Sequence, residues 1–431
     1  MTDDQGWGDT GYNGHPYLKT PNLDRMAAEG VTFTRFYSAA AMCSPTRGSC
    51  YTGRHPYRYG ITYAMEGMLE PTEIPITTLL KQSGYTTGHF GKWHIGTLTP
   101  TKGDQKRWGQ YAMFPERYYC PPWERDVDAC FVTESKVPTW NPMIAPGKDK
   151  PYGNNYFTGP GQIVEENLEG DDSRVIMDRV LPFIRQAVQQ KKPFFSAIWF
   201  HAPHSPIVGG DKYLSMYADR PEHERPYYAC LTAMDEQVGR LRAELKRLGV
   251  AQNTMLWFCS DNGPARQRSV HHVGSSGLLS GFKFSIKEGG IRVPGLLVWP
   301  NKVKQPVIVD TPCGTFDYFP TILDALDIPL PDDRVFDGMS MLPFITGEKT
   351  KRDKPIGFLN RGGKEAAWIA DRYKLLVTQD GAQLFDIRED PSEKNDLAKT
   401  YPEIHCQMQS KLNEWKTDVL TQLKRISKPS E

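Results

Sequence analysis

The feature that most limits the fold is a rhythm in which short apolar runs alternate with amphipathic helical segments and stop on polar clusters. Tyr85–Phe90, Phe194–Phe200, Thr254–Ser260 and Gly295–Trp299 are runs of five to seven residues, the pattern of strands buried on both faces. Val31–Ser38 reads as a further strand, after a helix opened by Thr20-Pro21, running to Glu29 and stopped by Gly30. Residues 77–83 read as helical. From Asp172 to about Lys191, Val175, Ile176, Val180, Phe183, Ile184 and Val188 recur with helical period, and Tyr227–Leu248 forms a second long helix closed by Gly249. Alternating helices and apolar strands predict an α/β sandwich: a large mixed, mostly parallel sheet between helical layers.

Two stretches depart from that rhythm. Residues 100–160 are rich in Pro, Tyr and Trp without periodicity and read as a long insertion shaping a cleft. Beyond about residue 330 the character changes. Ala367–Thr378 and Gln383–Ile387 read as strands and Pro402–Lys424 as a closing helix, which predicts a large α/β domain over 1–330 and a smaller α+β domain over 331–431.

Composition narrows the function classes. A net charge of +1 over 431 residues provides no basic field for nucleic acid, and no apolar run approaches the ~20 residues of a membrane span. Eight cysteines without a C-x-x-C spacing argue against a zinc ribbon; Cys120 and Cys130 are close enough in sequence to form a local disulfide.

In open α/β sheets ligands bind beyond the carboxyl ends of the strands. Gly91-Lys92-Trp93-His94, His201-Ala202-Pro203-His204 and Asp261-Asn262-Gly263 each follow an apolar run. Asp3, Asp4, Asp261 and Asn262 supply hard oxygen ligands, the set for calcium, with magnesium second, rather than zinc. Taken alone, paired aspartates also serve as caps and turns, and Asp261-Asn262-Gly263 reads rather as a turn. Their convergence on one edge is what carries weight.

The remaining motif is Cys43-Ser44-Pro45-Thr46-Arg47. Ser44 is a good N-cap and Pro45 suits a first turn, so a short helix is predicted from Pro45 to Thr52, ended by Gly53. Cys43 then lies just before a helix N-terminus, where free N–H groups attract anions, with Arg47 one turn on. A buried, inert cysteine is the bland alternative.

Ala41-Met42-Cys43-Ser44-Pro45-Thr46-Arg47 through Thr52-Gly53-Arg54 resembles the signature of the type I, formylglycine-dependent sulfatases of the alkaline phosphatase superfamily. Asp3-Asp4-Gln5-Gly6-Trp7-Gly8-Asp9, Gly84–His94, Gly281-Phe282-Lys283 with Glu288–Pro294, and Leu384-Phe385-Asp386 through Ala398 extend the likeness over most of the chain. Cys50-Tyr51 and Phe90 depart from it. The resemblance implies that family's fold, with an antiparallel sheet in the C-terminal domain, and a Cys43 oxidised to formylglycine by a maturation enzyme. One hydroxyl of the hydrated aldehyde attacks sulfur; the other later loses its proton so that sulfate is expelled. By the same resemblance Asp3, Asp4, Asp261 and Asn262, with residue 43, hold a divalent metal, and Arg47, Lys92 and Lys283 neutralise the sulfuryl oxygens. Asp261 takes the proton of the attacking hydroxyl and His94 that of the second. His204 contacts and protonates the leaving oxygen with help from Lys283. His201, His271 and His272 have no firm place and are equally cleft or loop residues; Trp108, Trp123 and Trp140 are sugar-stacking or packing residues. Met1-Thr2-Asp3-Asp4 begins where the family has just completed a buried strand, so the sequence reads as truncated upstream or given a misassigned start. A periplasmic or extracellular location is expected from the resemblance alone.

The predicted function is hydrolysis of a sulfate ester on a sulfated carbohydrate. The rivals are a phosphonate or phosphate diester hydrolase of the same superfamily and a catalytically silent protein that binds sulfated glycans.

Overall fold

The computed structural model describes residues 1–101, 106–265 and 273–426; the predicted candidates His271 and His272 lie outside the described residues.

The main sheet has two wings. In one, Thr86–Lys92 is flanked in parallel by Ala129–Thr133 and Phe194–Trp199, with two short antiparallel strands beyond. In the other, Val31–Phe33 runs parallel to Val307–Val309, and Gly295–Val298 joins it antiparallel to Leu256–Cys259. Met1–Asp3 lies between the wings. Phe200 N–H donates to the Met1 carbonyl and Thr2 N–H to that of Cys259, both at 2.9 Å. Next to Met1, a cavity of about 660 Å³ runs between Phe194–Trp199 and Leu256–Cys259 under mostly apolar side chains. The Met1 nitrogen donates to the Ile198 carbonyl at 2.9 Å.

The helices form where the apolar periods lie. Asp172–Gln189 is capped by Asp171, whose carboxylate accepts the Arg174 N–H, and turns Val175, Ile176, Val180 and Ile184 into the same core as Arg225–Arg247. Gly91 is needed as glycine. Its φ is +97°, and a Cβ would stand 2.0 Å from the Trp199 carbonyl oxygen, so no side chain fits where Thr86–Lys92 pairs with its neighbour.

Three expectations require correction. Val31–Ser38 is not one strand: it breaks at Thr34-Arg35 into Val31–Phe33 and Phe36–Tyr37, the second joining a separate small sheet. Residues 100–160 are not wholly irregular, since Ala129–Thr133 is an internal strand of the main sheet. Cys120 and Cys130 form no disulfide: all eight cysteines are free thiols, Cys120 donating to the Leu69 carbonyl and Cys130 to that of Thr158.

Ile356–Leu359, Ala366–Ala370, Tyr373–Thr378 and Gly381–Asp386 form an antiparallel meander. One face is covered by helix Pro402–Ile426 through Met408, Leu412 and Val419. The other packs Phe358, Ile369, Leu376 and Ile387 against Tyr37 and Ile291. Among the described residues no helix is long and apolar enough to cross a membrane.

Candidate functional site

The helix carrying the cysteine motif is Cys43–Thr52, and Gly53 ends it in the left-handed region (φ +68°). Cys43 is thus the first helical residue, not the one before the helix, and Ser44 is not its cap; the Ser44 hydroxyl is buried without a partner. The reason lies further in. Thr46 Oγ1 accepts the Ala39 N–H at 2.9 Å and bonds the Thr315 hydroxyl at 2.8 Å, so the entering loop is tied by a residue of the first turn. Cys43 remains at the positive end of the helix dipole, 2% exposed.

The strand ends bring the other segments to it. Asp4 N–H donates to Asp261 Oδ1 (3.0 Å), and Asp261 N–H to the Thr2 carbonyl. Arg47, fully buried, donates from Nη2 and Nε to Asp261 Oδ2 at 2.7 and 3.1 Å and lies 5.0 Å from the Trp199 ring centroid. Lys92 Nζ donates to Asp3 Oδ2 at 2.6 Å and Lys283 Nζ to Asp4 Oδ1 at 2.5 Å. Ligand atoms of Asp3, Cys43 and Asp261 lie within 4.8 Å of one another, as do those of Asp3, Asp4 and His204. Asn262 donates from Nδ2 to Asp4 Oδ1. Nine of the ten predicted site residues are therefore neighbours, and His94, the tenth, lies close enough to feel the charges of Lys92, Arg47 and Asp3.

Two buried oxygens, Asp3 Oδ1 and Asn262 Oδ1, have no hydrogen-bond partner. Orphaned acceptors of this kind are costly. With three carboxylates beside them, the donor set fits a hard divalent cation.

The charges shift one another strongly. Burial opposes ionisation of Asp3, yet Lys92, His204, Arg47 and Lys283 together hold its carboxyl well below the usual range. Burial, with Asp3 adjacent, pushes Asp261 up. Burial also raises the Cys43 thiol, against the pull of Lys92 and Lys283. For Lys283 burial works against the charge, but Asp4 and its other anionic neighbours raise its pKa.

The histidines divide. His94, in the left-handed region at φ +61°, is 4% exposed with both ring nitrogens unpartnered; burial and then Lys92 hold its pKa well below the ordinary value. His204 donates from Nδ1 to the Ser205 carbonyl and turns Nε2 towards Asp4 Oδ2 at 3.6 Å; burial lowers its pKa to about 4. His201 does not line the cleft. It is fully buried, its ring held by Asp172 Oδ2 at 2.8 Å on one side and by Thr133 Oγ1 at 2.7 Å on the other. Trp123 and Trp140 are partly buried packing residues, whereas Trp108 is 47% exposed and meets Tyr63 edge-on.

Sequence reasoning missed the segment after Ala129–Thr133. Ser135 there accepts from His201 through its carbonyl, and half-buried Lys136 has its pKa lowered by burial and then by Lys92 and Lys283, so a third lysine faces the same edge. The signal was the apolar run Ala129–Val132, five residues from a local Cys120-Pro-Pro-Trp loop.

Comparison with known proteins gives a consistent result. The sulfatase family model matches residues 1–328, and a second, N-sulphoglucosamine sulphohydrolase C-terminal, matches residues 282–418. The chain is 30% identical over 387 residues to N-acetylgalactosamine-6-sulfatase of Mus musculus, covering 87% of this chain and 70% of the relative. It is 32% identical over 419 residues to arylsulfatase G of Canis lupus familiaris, covering 90% and 75%. Among solved structures, Ps i-CgsB in complex with k-i-k-neocarrahexaose superposes with a TM-score of 0.84 at 27% identity, over 96% of this chain and 91% of that one.

Proposed function

The chain belongs to the sulfatase family and is a sulfuric ester hydrolase; from that premise we propose that it acts on sulfated carbohydrate, that its nucleophile is a formylglycine made from Cys43, and that Asp3, Asp4, Asp261, Asn262 and residue 43 hold one divalent metal, calcium before magnesium. The observation that carries this reading is the enclosure of residue 43, at a helix N-terminus, by three buried cations and two orphaned acidic-site oxygens.

When bound, the metal supplies positive charge to the sulfuryl oxygens as charge shifts in the transition state. The chain's own residues do the rest. Arg47, Lys92 and Lys283 present cations preorganised by Asp261, Asp3 and Asp4, so little reorganisation accompanies the reaction. Asp261, whose carboxylate accepts from Arg47 and from the Asp4 amide beside residue 43, is placed to serve the attacking hydroxyl. His94 is neutral and has both nitrogens free, as a base for the second hydroxyl must be. His204 is neutral in the free site. An anionic sulfate beside it favours the imidazolium, and Lys283, already charged, shares the leaving oxygen with it.

Lys136, close enough to Lys92 and Lys283 to feel both charges, adds a cation to this edge, which suits a polyanionic glycan. The kinship with a structure that holds a neocarrahexaose favours an oligosaccharide over a small aryl ester. A catalytic unit over 1–330, a C-terminal domain over 331–431 and a periplasmic or extracellular location belong to the same reading.

The experiment is peptide mass spectrometry on residues 36–47 from a host with formylglycine-generating activity, followed by turnover on matched sulfate and phosphonate esters and a panel of sulfated oligosaccharides. An aldehyde at position 43 with sulfate release is expected. Preferred phosphonate turnover, or tight glycan binding by the aldehyde form without release, overturns it.

A further inference from the structure

We propose that Lys374, buried in the C-terminal sheet, positions the Lys283 ammonium by holding shut the neck of the loop that carries it.

Residues 280–290 form a closed loop. Gly289 N–H donates to the Ser280 carbonyl at 2.6 Å, and Ser285 N–H to that of Phe282 at 3.0 Å. Its tip touches two other parts of the site: Lys283 N–H donates to the Pro264 carbonyl and Phe284 N–H to that of Ala41. Phe284 sits at φ +78°, a region costly for a bulky side chain and kept only where the surroundings impose it. The imposition comes from the neck. Glu393 Oε2 accepts both the Ser280 hydroxyl (2.6 Å) and the Glu288 N–H (2.8 Å), clasping the loop's two ends.

That clasp puts two carboxylates side by side in the interior, since Glu288 and Glu393 are both buried. Lys374 Nζ stands between them, 3.0 Å from Glu288 Oε1 and 2.9 Å from Glu393 Oε1, with its side chain fully buried. Tyr37 OH and Arg292, at 2.9 and 3.6 Å, face the far oxygen of Glu288; among the described groups only Lys374 bridges both acids. Without its charge the two anions repel across the neck, the loop opens, and Lys283 leaves its place on Asp4.

The test rests on the reading that Lys283 assists the leaving oxygen. Full-length protein carrying the aldehyde is assayed with 4-nitrophenyl sulfate, a good leaving group, and phenyl sulfate, a poor one. Lys374→Met should lose about tenfold to a hundredfold in kcat on phenyl sulfate, the cost of a small misplacement, and clearly less on 4-nitrophenyl sulfate, with Lys374→Arg restoring most of it. Equal losses on both esters show a folding role alone and overturn the proposal. Should Lys374→Met not fold, Ser280→Ala, which removes one clasp, should show the same selective loss in milder form; an unselective effect overturns the proposal. If the wild type hydrolyses neither ester, the aryl esters lie outside its specificity and the functional reading is judged on the sulfated oligosaccharides alone. Hydrogen exchange then decides: faster exchange at the Gly289 amide in Ser280→Ala supports the clasp, and unchanged exchange overturns it.

Discussion

Replacing Lys92 by methionine separates structure from chemistry, because the stem keeps its volume and only the charge is lost. In the wild type the Lys92 ammonium, 1% exposed, lies 2.6 Å from Asp3 Oδ2, while the nearest alternative cation, Arg47, is 3.8 Å from the same oxygen. Removing one partner of a buried pair costs about 3–5 kcal/mol, since the other charge stays behind. A chain of 431 residues has an unfolding entropy of about 0.9 kcal/mol per kelvin, so the melting temperature should fall by about 3–6 °C. Asp3 loses its leading cation, and its carboxyl rises. Loss of one preorganised charge should lower kcat by about 10²–10³. Calorimetry and sulfate release, both on protein whose position-43 aldehyde has been quantified, measure the two effects. Adding Asp3→Asn should recover about 1–3 kcal/mol relative to the sum of the single variants. A melting temperature within about 1 °C of wild type together with kcat within about threefold refutes the pairing and the role built on it.

Cys43→Ala should abolish turnover with the melting temperature nearly unchanged, checked by sulfate release and calorimetry; substantial residual activity removes residue 43 as nucleophile. Asp261→Ala should lose metal by elemental analysis along with rate, and unchanged metal content would show the ligand set to be wrong. Acid should weaken the fold through His55 and His89, which burial holds at a pKa of about 3. The unfolded chain binds their protons below about 6.5 while the folded chain does not. Stability is therefore full above that pH and falls towards pH 3, by up to about 1.4 kcal/mol per unit for each. Urea midpoints between pH 7.5 and 4.5 test this, and His89→Phe should flatten the slope. His201→Ala should destabilise by removing one hydrogen bond each from buried Asp172 and Thr133 while KM on a small sulfate ester stays near wild type; a KM effect without loss of stability would return His201 to the cleft.

The site was legible because its residues sit where apolar runs stop: the runs ending at Phe90, Phe200 and Ser260 are long and cleanly bounded, so the polar residues after them had to share an edge. Ala129–Thr133 escaped because no amphipathic helix adjoins it and prolines and aromatics crowd its flanks. Ser44 was misread as a cap because local preference cannot register Thr46 reaching back to Ala39, nor Thr315 arriving from 269 residues away. His201 stayed ambiguous for a similar reason, its partner Asp172 being the first residue of a helix with no sequence link to the strand it braces. The Glu288, Lys374 and Glu393 cluster joins three elements that spacing alone does not relate.

The segment Met1–Asp3 has a mechanical meaning. Lys92, His94 and His204 ride on one wing, and Asp261 and Asn262 on the other, so the groups proposed for proton transfer and those proposed for the metal straddle a seam. Among the described residues that segment stitches the seam from both sides: Phe200 N–H donates to the Met1 carbonyl and Asp3 N–H to that of Ala202, while Thr2 N–H donates to the Cys259 carbonyl and Asp261 N–H to that of Thr2. A shift of so short a segment would change the gauge of the site on both sides at once.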